Sequence, residues 1–193
     1  LITLKTYLNN NIEYIPEIID VLQYSFEHVD FLEKDSGLPY ENALYVYSTY
    51  TRAQALALLD YWKTSSEGVT RVKDKRATCL FVTLNKGNSY YSPSTAYHDY
   101  SINEELFHWQ SQNATASNTS VGQRYIHHEE QKEDILLFVR EQKDDSYGSV
   151  PFMFLGKAKY VSHQGDKPMS IVWKLENKIP AKFIDVTDKL GIG

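Results

Sequence analysis

The sequence predicts an α+β fold: a helical segment over residues 1–75, then a curved β-sheet or barrel with long loops over residues 76–193. Two observations carry that division. Before residue 75, apolar residues recur at spacings of three and four, the period of one helix face; after it they gather in short runs rich in β-branched and aromatic residues. Two long stretches, 85–105 and 111–128, separate those runs and are rich in Ser, Thr, Asn and Tyr. Stretches of that length in a compact domain are functional or disordered, and the Tyr content favours function.

In chain order, "NIEYIPEIIDVLQYSFEHVDFLEKD" places Ile15, Ile18, Ile19, Leu22 and Phe26 on one stripe, with Pro16 near the helix start, where its missing N–H costs nothing. Gly37 and Pro39 in "SGLPYENA" break the pattern. Thr51 then serves as the N-cap of a second helix in which Ala55, Leu58, Leu59 and Trp62 face one way. The polar "KTSSEGVTRVKDKR" reads as a loop and places the boundary near residue 75. Strands follow over 78–84, 134–141, 151–163 and 169–176, each bounded by Gly, Asp, Asn or Pro. There is no internal repeat and no low-complexity segment.

Composition is that of an ordinary globular protein, 42% hydrophobic and 23% charged, apart from its 15 Tyr. Tyr buries area while keeping a polar tip, so it serves core packing and recognition surfaces alike. The net charge of −5 is unevenly spread. Residues 1–75 carry 7 Lys and Arg against 11 Asp and Glu, whereas residues 151–183 carry 6 Lys against 2 acids. The second stretch is compatible with docking on phosphates or with lysines decorating exposed strands. The single Cys79 lies in the apolar run "RATCLFVTL" and reads as a core residue; one cysteine makes no internal disulfide and fits a reducing, cytoplasmic setting. No run of about 18 apolar residues suggests a membrane span. There is no signal-peptide pattern and no initiator Met, so the chain is expected to be a piece of a longer one.

No GxxxxGK[ST] loop and no GxSxG elbow is present. His127 and His128 are adjacent, a poor spacing for one metal, and Asp144–Asp145 reads as a turn. "NAT" (113–115) and "NTS" (118–120) match the glycosylation pattern but read as loop composition. The stretch that stands out is "YHDYSINEELFHWQSQN", residues 97–113. There Phe107, His108 and Trp109 adjoin Gln110, Ser111, Gln112 and Asn113, so flat apolar faces and hydrogen-bonding groups share one place. Such a set suits a nucleobase. A ring stacks on a base for roughly 1–3 kcal/mol. A carboxylate such as Asp99 accepts from the exocyclic amine of cytosine while amides read the rest of its edge. Two rings and two or three hydrogen bonds offset the few kcal/mol of unstacking that flipping costs, and a 5-methyl group adds about 0.8 kcal/mol of burial. The competing reading packs Phe107 and Trp109, two apart on one strand face, in the core; Tyr97 and Tyr100 are open to both.

The blocks "LFVTLNKGNSYYSPSTAYHDYSINEELFHWQSQN", "GQRYIHH", "ILLFVRE", "FLGKAKYVSHQGDKPMSIVWKL" and "IPAK" together resemble the C-terminal domain of SauUSI-type modification-dependent restriction endonucleases. That domain of unknown function follows a phospholipase-D-type nuclease and a superfamily-two helicase. The resemblance covers roughly residues 49–183. It implies a parent enzyme that cuts DNA carrying 5-methylcytosine or 5-hydroxymethylcytosine at the expense of ATP. In this family the C-terminal part recognises the target and is not itself catalytic. Residues 1–75 would be its helical connector and 76–193 a recognition domain resembling the SET-and-RING-associated (SRA) fold, which flips the modified base into a pocket. SRA domains place a Tyr and an Asp shortly before an F-x-Y-x-x-S-like strand. Here Tyr97 and Asp99 precede Phe107, Trp109 and Ser111; Trp109 stands for the second Tyr, and Gln112 and Asn113 stand where SRA domains have glycines.

From this resemblance, Tyr97 and Trp109 are expected to stack on the base, Asp99 to accept from its N4 amine, and Gln110 and Ser111 to line the pocket. Tyr100, Phe107, His108, Gln112, Asn113, Arg124, Lys157, Lys159 and Lys167 are candidates for other DNA contacts, with Arg124 equally suited to pairing a strand acid. No metal or cofactor is expected. The expected partners are modified double-stranded DNA and the helicase and nuclease domains of the parent chain. The rival readings are a protein-interaction module docking on those domains, a single-strand or RNA reader, and, last, a hydrolase using His108 or His128.

Overall fold

The computed structural model describes residues 3–27, 31–85 and 99–184. The chain divides into two compact units, 1–32 and 33–193. The first holds α1 (Leu4–Asn10), a 3-10 turn over Ile12–Tyr14, and α2 (Ile15–Glu27). Thr3 caps α1 by accepting from the Thr6 amide at 3.3 Å. In α2 the predicted apolar stripe is exposed, 52% at Ile19 and 63% at Leu22; the Phe26 side chain lies outside the description.

In chain order the second unit contains β1 (Lys34–Asp35), β2 (Tyr45–Val46), β3 (Thr49–Tyr50), α3 (Arg52–Ala57), β4 (Val69–Val72), β5 (Ala77–Asn85), β6 (Tyr100–Ser101), β7 (Leu106–Gln110), α4 (Ser120–Ile126), β8 (Asp134–Gln142), β9 (Asp144–Asp145), β10 (Gly148–Ser149), β11 (Phe152–Gln164) and β12 (Ser170–Leu175). One eight-stranded sheet runs β4-β5-β8-β11-β12-β7-β6, with β3 paired to β11. Within it β5 and β8 are parallel and the other pairs antiparallel. Bulges between Phe154 and Gly156 and between Tyr160 and Ser162 bend β11. The sheet ends at β4 and β6, so among the described residues it is open and does not close into a barrel.

Three expectations need correction. The unit boundary lies at residue 32, not near 75, because pairing draws the intervening chain into the sheet: Tyr50 lies opposite Phe152, and Val69–Val72 lie opposite Leu80–Ala77. β4 was hidden in a polar stretch, its four residues too short to show a period around the exposed Arg71. α3 stops at Ala57, and Trp62, expected on its buried face, is 80% exposed. The start of α3 follows the prediction: Thr51 accepts from the Gln54 amide and the Gln54 side chain accepts from the Thr51 amide, a capping box. In a further correction, α4 occupies part of the stretch 111–128 read as irregular, capped by Thr119.

β5 and β8 are buried on both faces, as parallel central strands are. On one face Phe81, Phe138 and Phe154 stack at 4.8 and 4.7 Å. On the other, Trp109, Tyr125 and Trp173 form an edge-to-face cluster to which α4 contributes Tyr125. Cys79 is fully buried, and burial pushes its thiol up to about 12, so it is inert packing as the sequence suggested. β7 and β12 instead alternate, turning Phe107, Trp109, Ile171 and Trp173 inward and leaving their other face less covered.

Candidate nucleic-acid interface

The less covered face of β6, β7, β12 and the end of β11 gathers the polar and aromatic groups of the opening stretch. Cross-strand register sets Tyr100 opposite His108, and the rings stack at 4.5 Å with 17° between their planes. His108 lies opposite Val172, and Gln110 opposite Ser170, with Gln110 Nε2 3.5 Å from Ser170 Oγ. One strand further, Gln164 pairs with Ser170 and Lys159 with Lys174. Rings, amides, hydroxyls and ammonium groups therefore stand on a rigid strand surface. β6 is the terminal strand, and among the described residues no further strand covers the outer side of Tyr100.

Asp99 precedes β6 and is 7% exposed. Its Oδ1 accepts from the Gln110 amide at 2.8 Å. β6 begins only at Tyr100, so the side chain of Asp99 supplies the acceptor that a continuing strand would have offered. This bond fixes the carboxylate against the end of β7, one residue along the chain from Tyr100.

The remaining predicted site residues fall elsewhere. Tyr97 lies outside the described residues. Phe107 (0% exposed) and Trp109 (4%) point into the core, the Trp109 ring meeting Tyr125 at 5.4 Å and Trp173 at 6.3 Å. Period-two geometry leaves no alternative once His108 takes the outer face, so Trp109 offers no open stacking face and Phe107 no DNA contact. Ser111 is also fully buried: its Oγ accepts from the Met169 amide at 2.9 Å and donates to the Gln112 carbonyl, pinning the end of β7 to the start of β12. Gln112 Oε1 accepts from the Tyr125 hydroxyl at 3.1 Å, so this amide braces α4. Asn113 is exposed in a turn.

Arg124 takes the strand-acid alternative. Its Nε lies 3.4 Å from Glu133 Oε1, and Glu133 also receives a bidentate Arg71 and the Thr78 hydroxyl. A guanidinium committed to a carboxylate that is 2% exposed is not a surface phosphate clamp. Lys157 and Lys159 both form ion pairs with Glu176, at 3.5 and 3.6 Å, while Lys167 is exposed and donates its amide to the Thr115 carbonyl.

His128 is excluded from acid–base work by its partners. Nδ1 faces the Glu133 carbonyl at 2.9 Å and Nε2 faces the Tyr160 amide at 3.1 Å. A carbonyl only accepts and an amide only donates, so the ring is a neutral Nδ1–H tautomer with both nitrogens committed. A cavity of about 330 Å³ opens beside it, lined by Asp134, Lys157, Lys159 and Glu176 among others. Burial raises the Asp134 carboxyl, and Lys157 opposes that rise. Among the described residues no group of three or more His, Cys, Asp or Glu is placed to hold a metal, and no helix is long and apolar enough to cross a membrane. Sequence reasoning missed Ser170, Gln164 and Lys174 as members of this face, because register alone brings them together.

A family profile described as a domain of unknown function (DUF3427) matches residues 44–186. No curated protein matches the chain. Among solved structures, the crystal structure of Arabidopsis thaliana SUVH6 in complex with SAM is similar at 11% identity and a TM-score of 0.46, over 81% of this chain and 31% of that one. A likeness at that level carries no functional argument.

Proposed function

The chain belongs to the DUF3427 family, and for this member we propose recognition of 5-methylcytosine or 5-hydroxymethylcytosine in duplex DNA through a flipped base. The observation that carries the reading is the fixed Asp99 carboxylate at the terminal strand, one residue from the stacked Tyr100–His108 pair. The carboxylate accepts from the N4 amine, and each ring stacked on the base contributes roughly 1–3 kcal/mol. Gln110 on the same face reads a neighbouring edge, and Trp109 supports β7 from behind. The resemblance to SauUSI-type enzymes supports the same reading. In this reading the chain is the non-catalytic target reader of a cytoplasmic, ATP-dependent restriction enzyme, with helicase and nuclease domains as partners in the parent chain. In the first unit, the exposed Ile18, Ile19, Val21 and Leu22 of α2 favour its use as the docking element toward those domains.

The test is titration against matched duplexes, unmodified, 5-methylated and 5-hydroxymethylated, at physiological salt, with wild type and Asp99→Asn. Asn keeps an acceptor for the Gln110 amide while turning the other carboxylate oxygen into a donor. The variant should stay folded and lose the preference for modified cytosine. An undiminished preference would remove Asp99 from the pocket, and equal weak binding of all three duplexes by wild type would replace the reader with a merely basic surface.

A further inference from the structure

Arg52 opens α3 with its guanidinium laid over two rings, 5.0 Å from the Phe81 centroid and 5.6 Å from that of Phe152. Arg140 approaches the same Phe152 ring, at 4.2 Å. The two differ in what holds them. Arg140 donates from Nε to the Thr83 hydroxyl at 2.9 Å and from Nη1 to the carbonyls of Lys143 and Val150, bracing the base of the β9–β10 hairpin. Arg52 has no carboxylate partner among the described residues, and its Nε is buried without a hydrogen bond. Burial also lowers the pKa of its guanidinium, with no acid opposing the shift. Arg71 and Arg124, the other arginines engaged in the sheet unit, share Glu133.

A partly desolvated cation with no counterion among the described residues is costly unless an anion completes it. The stem of Arg52 is already ordered by the two rings, so little side-chain freedom remains to be lost on binding. A planar guanidinium fork stacked on aromatic faces suits a phosphate group. We propose that Arg52, seated on Phe81 and Phe152 with Arg140 adding its charge, is a binding site for a phosphate oxyanion. In DNA binding, which rests on the reading above, the anion is a backbone phosphodiester distant from the flipped base. Phe152 starts β11, whereas Val172 and hence His108 align with Ser162, ten residues further along that strand, roughly 30 Å at strand rise.

The experiment uses the full chain as wild type, Arg52→Gln and Arg52→Lys. Duplex affinity is measured across a salt series for modified and unmodified DNA, and inorganic phosphate is titrated while the Arg52 side-chain resonance is followed by NMR. The expected result is a salt slope smaller by about 1 in Arg52→Gln, with modified and unmodified duplex weakened equally so that their ratio is unchanged. Lys should restore part of the slope, and in wild type the Arg52 resonance should shift saturably with phosphate. A saturable shift with an unchanged slope assigns the site to free phosphate or a nucleotide and removes the backbone contact. A saturable shift in a chain that binds no duplex sustains the anion site and overturns the DNA reader. An unchanged slope together with no phosphate-induced shift overturns the site. If Arg52→Gln fails to fold, the wild-type phosphate titration and Arg52→Lys decide.

Discussion

His108 and Trp109 are neighbours in the chain and opposites in role. Alternation along β7 turns His108 outward against Tyr100 and sends Trp109 into contact with Tyr125 and Trp173. Replacing a buried Trp by Ala removes its transfer energy and leaves a cavity, so Trp109→Ala should cost about 3–5 kcal/mol in urea unfolding. His108→Ala should leave the unfolding midpoint nearly unchanged and weaken modified-duplex binding by about 1–3 kcal/mol. The reverse pattern, a stable Trp109→Ala chain that no longer binds, would make Trp109 the stacking ring after all.

At the scale of elements, Glu133 ties α4 to strands that sheet pairing already joins to one another. It sits just before β8 and receives Arg71 from β4, Thr78 from β5 and Arg124 from α4. Because the carboxylate is buried, deleting its charge strands Arg124, which is 15% exposed, while Arg71 at 38% can recover water. Glu133→Gln should therefore cost about 3 kcal/mol, at the low end for a broken buried pair. Urea unfolding reads that cost. Hydrogen exchange should show the loss first in α4, since β4 keeps its ladder to β5. Uniform loss of protection across the sheet would mean that α4 does not depend on this carboxylate.

At the scale of the molecule, the sheet unit carries its own core from Leu44 to Phe183, and residues 1–32 form a separate unit. A chain lacking residues 1–32 should keep one cooperative melting transition at the wild-type temperature and an unchanged duplex titration. Loss of either would show that the N-terminal helices contribute to the sheet or to the interface. Their exposed Ile and Leu side chains then would no longer need an outside partner.

Local pattern in the sequence determined, to within a residue at each end, the strands expected over 78–84, 134–141, 151–163 and 169–176, together with the Thr51 cap and the buried Cys79. Each follows from side-chain period or from a hydrogen bond closed within a few residues. Only the tertiary structure decided which side of β7 faces inward, because a period of two names two faces without choosing between them. The same holds for the parallel pairing of β5 with β8, the recruitment of β4, and the commitment of Arg124 to Glu133 rather than to a phosphate. Those outcomes depend on groups far apart in the chain, whose meeting is set by packing and burial of the whole sheet rather than by any local propensity.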